Sequence, residues 1–393
     1  MVVHRLLGRS NLQTLFSKFI VQGSGVLKSS PQSRTKVVMN KAFFIVVLPI
    51  LLASSVMSKS QNGEKLFRDW DANDDGMLSI DELPQNAKGN FGRVDANKDS
   101  RISLSEHLAF LGRKRVAEVP DYIRAVRNLN YAATENPWQT LDLFLPKSRK
   151  KTDALPIIVY IPGGGWKSGS KEGGLRRMEP FLRTGKFAAA SINYRLSGEA
   201  TWPAQIHDCK AAIRWIKGNA EKYSLNQNKM AAWGNSAGGH LAAMLGVSGG
   251  QKELAGDIGK FLKRNDRLTC IVSLCGPTHF LSMNKFPSNI DHDEANSPES
   301  RLIGGPLQKN KRLANFASPL SYVTKDDAPA LIVHGKRDNL VPFNQAEIFH
   351  AALVKAGVSS EFLPMNDMGH NLSGPVVSKR TRDFLTKYLL AEN

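Results

Sequence analysis

Residues Met230 to Leu245 read Met-Ala-Ala-Trp-Gly-Asn-Ser-Ala-Gly-Gly-His-Leu-Ala-Ala-Met-Leu. An apolar run ends at Gly234, and a run of small, helix-forming residues starts after Gly238. The G-x-S-x-G pattern between them predicts a strand that turns abruptly into a helix, where glycines permit close approach of the two elements. Ser236 would then project into a cleft as a nucleophile. The N–H of Ala237, at the helix N-terminus, would stabilise a nearby negative charge.

A G-x-S-x-G pattern also arises by chance, so its context decides its meaning. From residue 138 onward, apolar strand-like runs alternate with amphipathic helices, which predicts an α/β fold with a mostly parallel sheet and helices on both faces. The predicted strands are Thr140–Leu145, Ile157–Ile161, Phe187–Tyr194, Thr269–Leu274, Ala330–Val333 and Glu361–Pro364. The predicted helices are Pro203–Tyr223, Asn344–Ala356 and Ser378–Ala391.

A nucleophilic serine needs hydrogen-bond donors for the oxyanion that forms when it attacks a carbonyl. The run Pro162-Gly-Gly-Gly-Trp166 directly follows the strand that ends at Ile161. Residues without side chains let backbone N–H groups close around an oxyanion, so we expect Gly164 and Gly165 to act as donors together with Ala237.

The serine also needs a base and an orienting acid. Asp338 lies just beyond the strand Ala330–Val333, where catalytic groups collect in parallel sheets. His370 follows the next strand, precedes the last helix and completes the order serine, acid, histidine. We therefore predict a Ser236–His370–Asp338 triad. His240 and His334 are predicted to be structural.

The composition is that of an ordinary globular protein, with 393 residues, 41% hydrophobic and 22% charged. The net charge is +18. Apart from the basic N-terminal segment, the basic residues are scattered along the chain, so no nucleic-acid partner is expected. The three cysteines, Cys209, Cys270 and Cys275, are too few for a disulfide framework and are predicted to be buried thiols.

Residues 1–59 are interpreted as a targeting region. A basic stretch without acids precedes the apolar run Ala42–Ala53 and a serine-rich cleavage region, which is the order found in a signal peptide. Met39 is a possible true start. A secreted or periplasmic location is expected, and the alternative is membrane anchoring by residues 42–57. No stable membrane span is expected elsewhere.

Residues 60–115 contain two copies of a 12-residue acidic pattern that begins at Asp71 and again at Asp95. Side-chain oxygens recur at positions 1, 3, 5 and 12, and position 7 offers a backbone carbonyl, as in a loop that wraps one calcium ion. The predicted ligands are Asp71, Asn73, Asp75, Met77 and Glu82 in loop one, and Asp95, Asn97, Asp99, Arg101 and Glu106 in loop two.

The segment resembles a pair of EF-hands, which implies a small all-α unit that binds calcium for a structural purpose. Loop two departs from that pattern because Ser100 stands where loop one has Gly76, at the position of the sharp bend. The second site is therefore expected to bind more weakly.

Residues 138–393 are predicted to be the catalytic domain, and residues 116–137 a linker that leads into it. From about 138 to 391 the chain resembles α/β-hydrolases, above all hormone-sensitive-lipase-like esterases and bacterial feruloyl or acetyl-xylan esterases. The resemblance is carried by the triple glycine with Trp166, the Asn-Tyr-Arg run at 193–195, Gly234 to Gly239, Gly276-Pro-Thr278, Ser318-Pro319, and the Asp338 and His370 segments. A histidine usually precedes the triple glycine in this family, and Pro162 takes its place here.

These features predict an exported serine carboxylic-ester hydrolase that needs no cofactor for catalysis. Its substrates would be short-chain or carbohydrate-linked acyl esters, either small molecules or attached to a polysaccharide. Residues 276–318 are expected to roof the pocket, with apolar candidates at Phe280, Leu281, Met283, Phe286 and Leu302. Two alternatives stay open: a peptidase of the same fold, and a non-enzymatic calcium-binding adhesion or scaffold protein.

Overall fold

The computed structural model describes residues 63–112, 118–148 and 154–391. The chain divides into two compact units, Met1–Arg113 and Lys114–Asn393. The predicted targeting region 1–59, with its apolar residues 42–57, lies outside the described residues. Within the part that is described, no helix is long and apolar enough to cross a membrane.

The first unit contains two helix–loop–helix segments joined by a very short sheet. Its elements are α1 (63–70), β1 (Met77–Leu78), α2 (Gln85–Lys88), α3 (Phe91–Val94), β2 (Ile102–Ser103) and α4 (Leu104–Gly112). β1 and β2 pair antiparallel, with Leu78 opposite Ile102. These two side chains are almost fully buried with Phe67, Leu83 and Val94, and so they couple the two loops through one small core.

The second unit is built on an eight-stranded sheet in the order β10-β9-β8-β7-β5-β6-β4-β3. The strands are β3 (Ile123–Asn130), β4 (Thr140–Pro146), β5 (Leu155–Ile161), β6 (Ala188–Ile192), β7 (Leu225–Asn235), β8 (Cys270–Leu274), β9 (Ala330–Gly335) and β10 (Ser360–Met365). All neighbours from β6 to β10 are parallel, and β4 is antiparallel to β3 and β6. The carboxyl ends of six strands therefore meet at one edge.

Helices cover both faces of this sheet. They are α5 (Gly174–Leu182), α6 (Ala204–Gly218), α7 (Ala220–Tyr223), α8 (Ala237–Val247), α9 (Lys252–Ala255), α10 (Pro298–Ile303), α11 (Lys311–Phe316), α12 (Asn344–Lys355) and α13 (Pro375–Leu389). Side chains of β5 alternate between two cores: Ile157 and Val159 join the one with α6, α8 and α12, whereas Ile158 and Tyr160 join the one with α5 and α13. Burial on both faces explains the continuous apolar strands. The predicted α/β-hydrolase architecture is confirmed.

Two sequence-based boundaries were wrong. Strand β3 lies inside residues 116–137, which we expected to be a linker, and it pairs with β4 at the sheet edge. The strand shows no clear alternation of apolar and polar residues in the sequence. It lies at the edge of the sheet, contains several polar residues, and has an irregularity between Val126 and Leu129. The helix expected over 203–223 is two helices, broken at Asn219.

Candidate active site and acidic loops

The turn between β7 and α8 has the geometry expected of a nucleophile elbow. Ser236 adopts φ 55° and ψ −125°, and its N–H donates to the carbonyl of Leu274 at 2.8 Å. A Cβ on Gly234 would lie 2.1 Å from the oxygen of Gly238, so only glycine permits this approach of strand and helix. A left-handed conformation costs a non-glycine residue on the order of 1 kcal/mol. Such strain is typical of functional sites.

The glycine run after β5 forms a tight loop beside the elbow. Gly164 and Gly165 have φ values of 122° and 57°, and a Cβ on Gly164 would lie 2.3 Å from the carbonyl oxygen of Ser168. The buried Tyr194 hydroxyl donates to the carbonyl of Pro162 at 2.8 Å. This hydrogen bond anchors the start of the loop at Pro162, where the resemblance led us to expect a histidine.

His370 and Asp338 are directly paired. His370 Nδ1 lies 2.8 Å from Asp338 Oδ2. A carboxylate only accepts, so Nδ1 carries the proton and Nε2 is left to accept one. The other oxygen of Asp338 accepts the N–H groups of Leu340 and Val341 at 2.9 and 3.0 Å. These contacts fix the acid, which then fixes the ring of the histidine.

The electrostatics of this pair favour charge on both partners. Burial favours the neutral carboxyl of Asp338, but hydrogen bonds from His334 and His370 outweigh it and hold the pKa of Asp338 well below its usual range. Burial likewise opposes a charge on His370. The hydrogen bond to Asp338 and the neighbouring Cys275 nevertheless raise the pKa of His370 above that of an ordinary histidine.

One cavity of about 370 Å³ gathers most of the predicted site residues. Its walls include Ser236 and His370, and the three predicted oxyanion donors Gly164, Gly165 and Ala237. Asp338 lies behind His370 and is 6% exposed. Asp367, an alternative candidate for the acid three residues before His370, instead pairs with Arg337 at the surface, at 2.8 Å.

The apolar residues expected to roof the pocket were assigned wrongly. Phe280, Met283 and Leu302 are fully buried in the main core, and the exposed Phe286 lines a different depression. The same connection supplies other residues to the cavity: Pro277, Ile290, Pro298 and Glu299. Hydrophobicity alone does not distinguish a residue that lines a cavity from one that fills the core beneath it.

Sequence reasoning missed three side chains near the paired His370 and Asp338 or in the cavity beside them. Cys275 Sγ lies 3.4 Å from the carbonyl oxygen of His370, and His334 Nε2 lies 3.2 Å from Asp338 Oδ2. Glu299 is 3% exposed, yet it lines the cavity and pairs with the buried His292 at 2.9 Å. Glu299 stands in the first turn of α10, where an acid is common, so the sequence carried no signal for it.

His240 has a structural role, as predicted. Its Nε2 donates to the carbonyl of Ala317 at 2.7 Å, and its Nδ1 accepts from Trp166 Nε1 at 3.2 Å. Burial lowers the pKa of His240 to about 4, so the ring is neutral. This pair ties the glycine loop to helix α8.

The two acidic loops of the first unit share one hydrogen-bond pattern. In loop one, Asp71 accepts the N–H groups of Asp75 and Gly76, and Glu82 accepts those of Ala72 and Ser79. In loop two, Asp95 accepts from Asp99 and Ser100, and Glu106 accepts from Ala96 and Ser103. The first and last acids of each loop thus both accept hydrogen bonds from backbone N–H groups inside that loop.

Both terminal glutamates of these loops are held in the charged form. Hydrogen bonds from the backbone and hydroxyl of Ser103 lower the pKa of Glu106 to about 2, and the same contacts from Ser79 lower the pKa of Glu82. At position 6, Gly76 and Ser100 both adopt positive φ, at 77° and 65°. Ser100 therefore makes the expected bend, with a side chain that resists it.

The second unit is similar to known proteins. The BD-FAE family model matches residues 141–353. The esterase LipC of Mycobacterium tuberculosis is 27% identical over 229 residues, which are 55% of this chain and 52% of LipC. The chain thus spans about half the length of the curated relatives it matches.

Solved structures show the same fold. A truncated carbohydrate esterase from gut microbiota is 31% identical, with a TM-score of 0.64 over 71% of this chain and 99% of that one. An esterase from Thermogutta terrifontis, Est2 with bound propionate, is 24% identical, with a TM-score of 0.55 over 70% of this chain and 98% of its own. By the match over residues 141–353, this chain belongs to the BD-FAE family, and its second unit is an α/β-hydrolase domain of carboxylesterase type.

Proposed function

We propose that the protein hydrolyses carboxylic esters, with Ser236 as nucleophile, His370 as general base and Asp338 as the orienting acid. The observation that carries this proposal is the strained Ser236 in one cavity with His370, whose Nδ1 is held by Asp338 at 2.8 Å. The proton on Nδ1 leaves Nε2 as the atom that can accept the proton of the serine.

The chemistry follows from these roles. Nε2 of His370 takes the proton from Ser236, the serine oxygen attacks the ester carbonyl, and the developing oxyanion is held by the N–H groups of Gly164, Gly165 and Ala237. His370 returns the proton to the alcohol, which leaves. Water, deprotonated by the same histidine, then attacks the acyl-serine. The bond between the acyl group and the serine oxygen breaks, the carboxylic acid leaves, and His370 returns the proton to Ser236. No step needs a metal.

Short-chain acyl groups on hydroxyl-rich alcohols are the substrates that we propose. A cavity of about 370 Å³ is near the lower end of ligand pockets, which suits small acyl groups. One oxygen of Glu299 is bound by His292. The other makes no hydrogen bond to any described residue and is not sealed from solvent. A buried carboxylate that is free to accept favours an alcohol with donor hydroxyls, such as a sugar.

The test compares p-nitrophenyl esters of rising chain length with acetylated xylan and methyl ferulate, together with labelling of the serine by a fluorophosphonate. We expect labelling at Ser236 and a preference for short acyl groups. Glu299→Gln should lower kcat/KM for acetylated xylan more than for p-nitrophenyl acetate, which lacks sugar hydroxyls. An unlabelled Ser236 in folded protein would refute the proposal and favour the adhesion or scaffold alternative, and cleavage of peptides but not esters would favour the peptidase.

We also propose that the acidic loops each bind a calcium ion that stabilises the first unit. The donor set fits, because each loop offers carboxylate and amide oxygens of the kind that calcium prefers, and the last glutamate is ionised. The ligands would be the residues predicted from the sequence, with Met77 and Arg101 contributing backbone carbonyls. When bound, calcium would neutralise acids that otherwise repel one another.

Export is the location we propose, with anchoring by residues 42–57 as the alternative. Its support is the order of basic, apolar and serine-rich segments in residues 1–59. Sequencing of the N-terminus of the protein recovered from culture fractions tests this. Cleavage after the apolar run is the expected result, and an intact apolar run in the membrane fraction would favour anchoring.

A further inference from the structure

A second, larger cavity of about 740 Å³ lies in the hydrolase unit beside the catalytic one. Asn235, the residue before Ser236, lines both cavities. The second cavity lies at the carboxyl edge of the sheet, between α5 and the first two turns of α13. Its volume is in the range of small-molecule sites.

The charge around this cavity is of one sign. Arg176 and Arg177 on α5 and Arg382 on α13 line it, and none of the described lining residues is acidic. Arg176 and Arg382 make no hydrogen bond or ion pair with another described residue. Of the nearby acids, Glu179 lies 2.7 Å from Arg183, and Asp383 lies 2.6 Å from Lys379 and also attracts Arg382. Three cations around one opening attract an anion.

The backbone adds to this positive field. Gly173, Ser373 and Gly374 line the cavity at the starts of α5 and α13. The N-terminal end of a helix presents free N–H groups and a partial positive charge, which favours a bound anion. Two such ends face the same space as the three arginines.

The inner wall is aromatic. Trp233 meets Tyr160 and Phe181 edge to face, with ring centroids 5.9 Å apart in each pair, and Arg177 lies 5.7 Å from the centre of the Tyr160 ring. An aromatic wall suits a flat or ring-shaped body.

We propose that this cavity binds a small organic anion, a carboxylate carried on a six-membered ring. The ring would lie against Tyr160 and Trp233, and the carboxylate would face the arginines, whose planar guanidinium groups match it. The inference concerns binding alone and does not rest on the proposed ester hydrolysis. Two sources share this chemistry, aromatic acids and sugar acids.

One hydrogen bond joins the wall of this cavity to the residue before Ser236. The Tyr160 hydroxyl donates to Asn235 Oδ1 at 2.6 Å, and Asn235 directly precedes Ser236. An anion bound in the cavity would therefore lie close to the turn between β7 and α8.

Calorimetric titration of the full chain with benzoate, glucuronate and acetate tests the proposal. The Ser236→Ala variant serves as the host, so that binding is measured without turnover. We expect saturable binding of a ring-borne carboxylate and much weaker binding of acetate. Tighter binding of benzoate identifies an aromatic acid, and tighter binding of glucuronate a sugar acid. No saturable binding of either would overturn the proposal.

Variants of the arginines locate the site. Arg177→Gln and Arg382→Gln should each weaken binding about fivefold, since both guanidinium groups are solvent-exposed and their pairs are partly screened. Arg382→Lys should retain part of the affinity. Arg264→Gln, an exposed arginine that does not line the cavity, should bind like the parent. Equal affinities in all four variants, or equal binding of benzoate and neutral benzamide, would show that the arginines do not hold the anion.

Because these titrations use a variant without the nucleophile, their failure leaves ester hydrolysis untouched. Failure of fluorophosphonate labelling in the parent protein would in turn leave the anion site untouched. Each proposal can therefore be refuted without refuting the other.

Discussion

The catalytic cavity and the acidic loops hold their functional groups by different means. Asp338 and His370 are fixed by side chains and backbone at the carboxyl edge of a large sheet, with Asp338 bound to His370, Leu340 and Val341. The acids of the loops are fixed by N–H groups of their own loop, over a core of a few apolar residues. The first arrangement is complete without a ligand. In the second, several acids lie close together and repel one another, which favours binding of a cation.

The sharpest test of the catalytic side of this comparison is removal of the nucleophile. Ser236→Ala should lower kcat by a factor on the order of 10⁴ or more, because the covalent step is lost while the oxyanion donors remain. Initial rates on p-nitrophenyl acetate measure this, and an unchanged melting temperature shows that the variant is folded. Activity within tenfold of the parent would contradict the proposed mechanism.

The next largest effect should distinguish Asp338 from the other acids. Asp338→Ala should lower kcat about 10³- to 10⁴-fold, because His370 loses the partner that sets its tautomer. Asp367→Ala is the matched control, since that side chain pairs with Arg337 at the surface, and Asp326→Ala and Asp327→Ala complete the set. A greater loss at Asp367 than at Asp338 would reassign the role of the acid.

The strand ends explain why so much of the catalytic site was predictable. Ser236 and Asp338 follow buried apolar strands, His370 follows the edge strand β10, and parallel strands bring such positions together. The glycines at 234 and 238 marked the close approach of two elements. Glu299 and Cys275 carried no such signal, because their places depend on how the connection after β8 packs. The edge strand β3 was missed because only one of its 8 residues, Ile123, is buried.

The pH dependence of activity should show the raised pKa of His370. The histidine must be neutral to accept a proton, and its pKa is raised, so activity should appear only as the pH rises through that raised value. We expect the rising limb of kcat/KM on p-nitrophenyl acetate, corrected for spontaneous hydrolysis, to have its midpoint above the usual histidine value of about 6.5.

Asp367→Asn controls for a general charge effect and should leave this limb in place. A midpoint at or below about 6.5 in the parent would mean that Asp338 does not favour the charged histidine in the free enzyme.

Removal of calcium should affect the acidic loops much more than the catalytic cavity. Chelation should lower the melting temperature of the first unit, because the acids of each loop then repel one another. Esterase activity on a small soluble ester should change less than about twofold, since the catalytic groups need no metal. Scanning calorimetry and a rate assay on the same sample provide both readings. Reversible loss of all activity, with the hydrolase unit still folded, would show a regulatory rather than structural role.

The smallest expected effect lies within the loops and concerns position 6. Gly76 and Ser100 adopt nearly the same positive φ, yet only glycine does so without steric cost. Site one should therefore bind calcium more tightly than site two, and the isolated segment 60–115 should show two unequal steps in a calorimetric titration.

A left-handed serine costs about 1 kcal/mol, which corresponds to about a fivefold difference in affinity if the metal enforces the bend. Ser100→Gly should then tighten the weaker step about fivefold, and the reciprocal Gly76→Ser should weaken the stronger one. Two equal steps in the parent, or a Ser100→Gly variant that leaves the weaker step unchanged, would mean that the bend at Ser100 does not limit the second site.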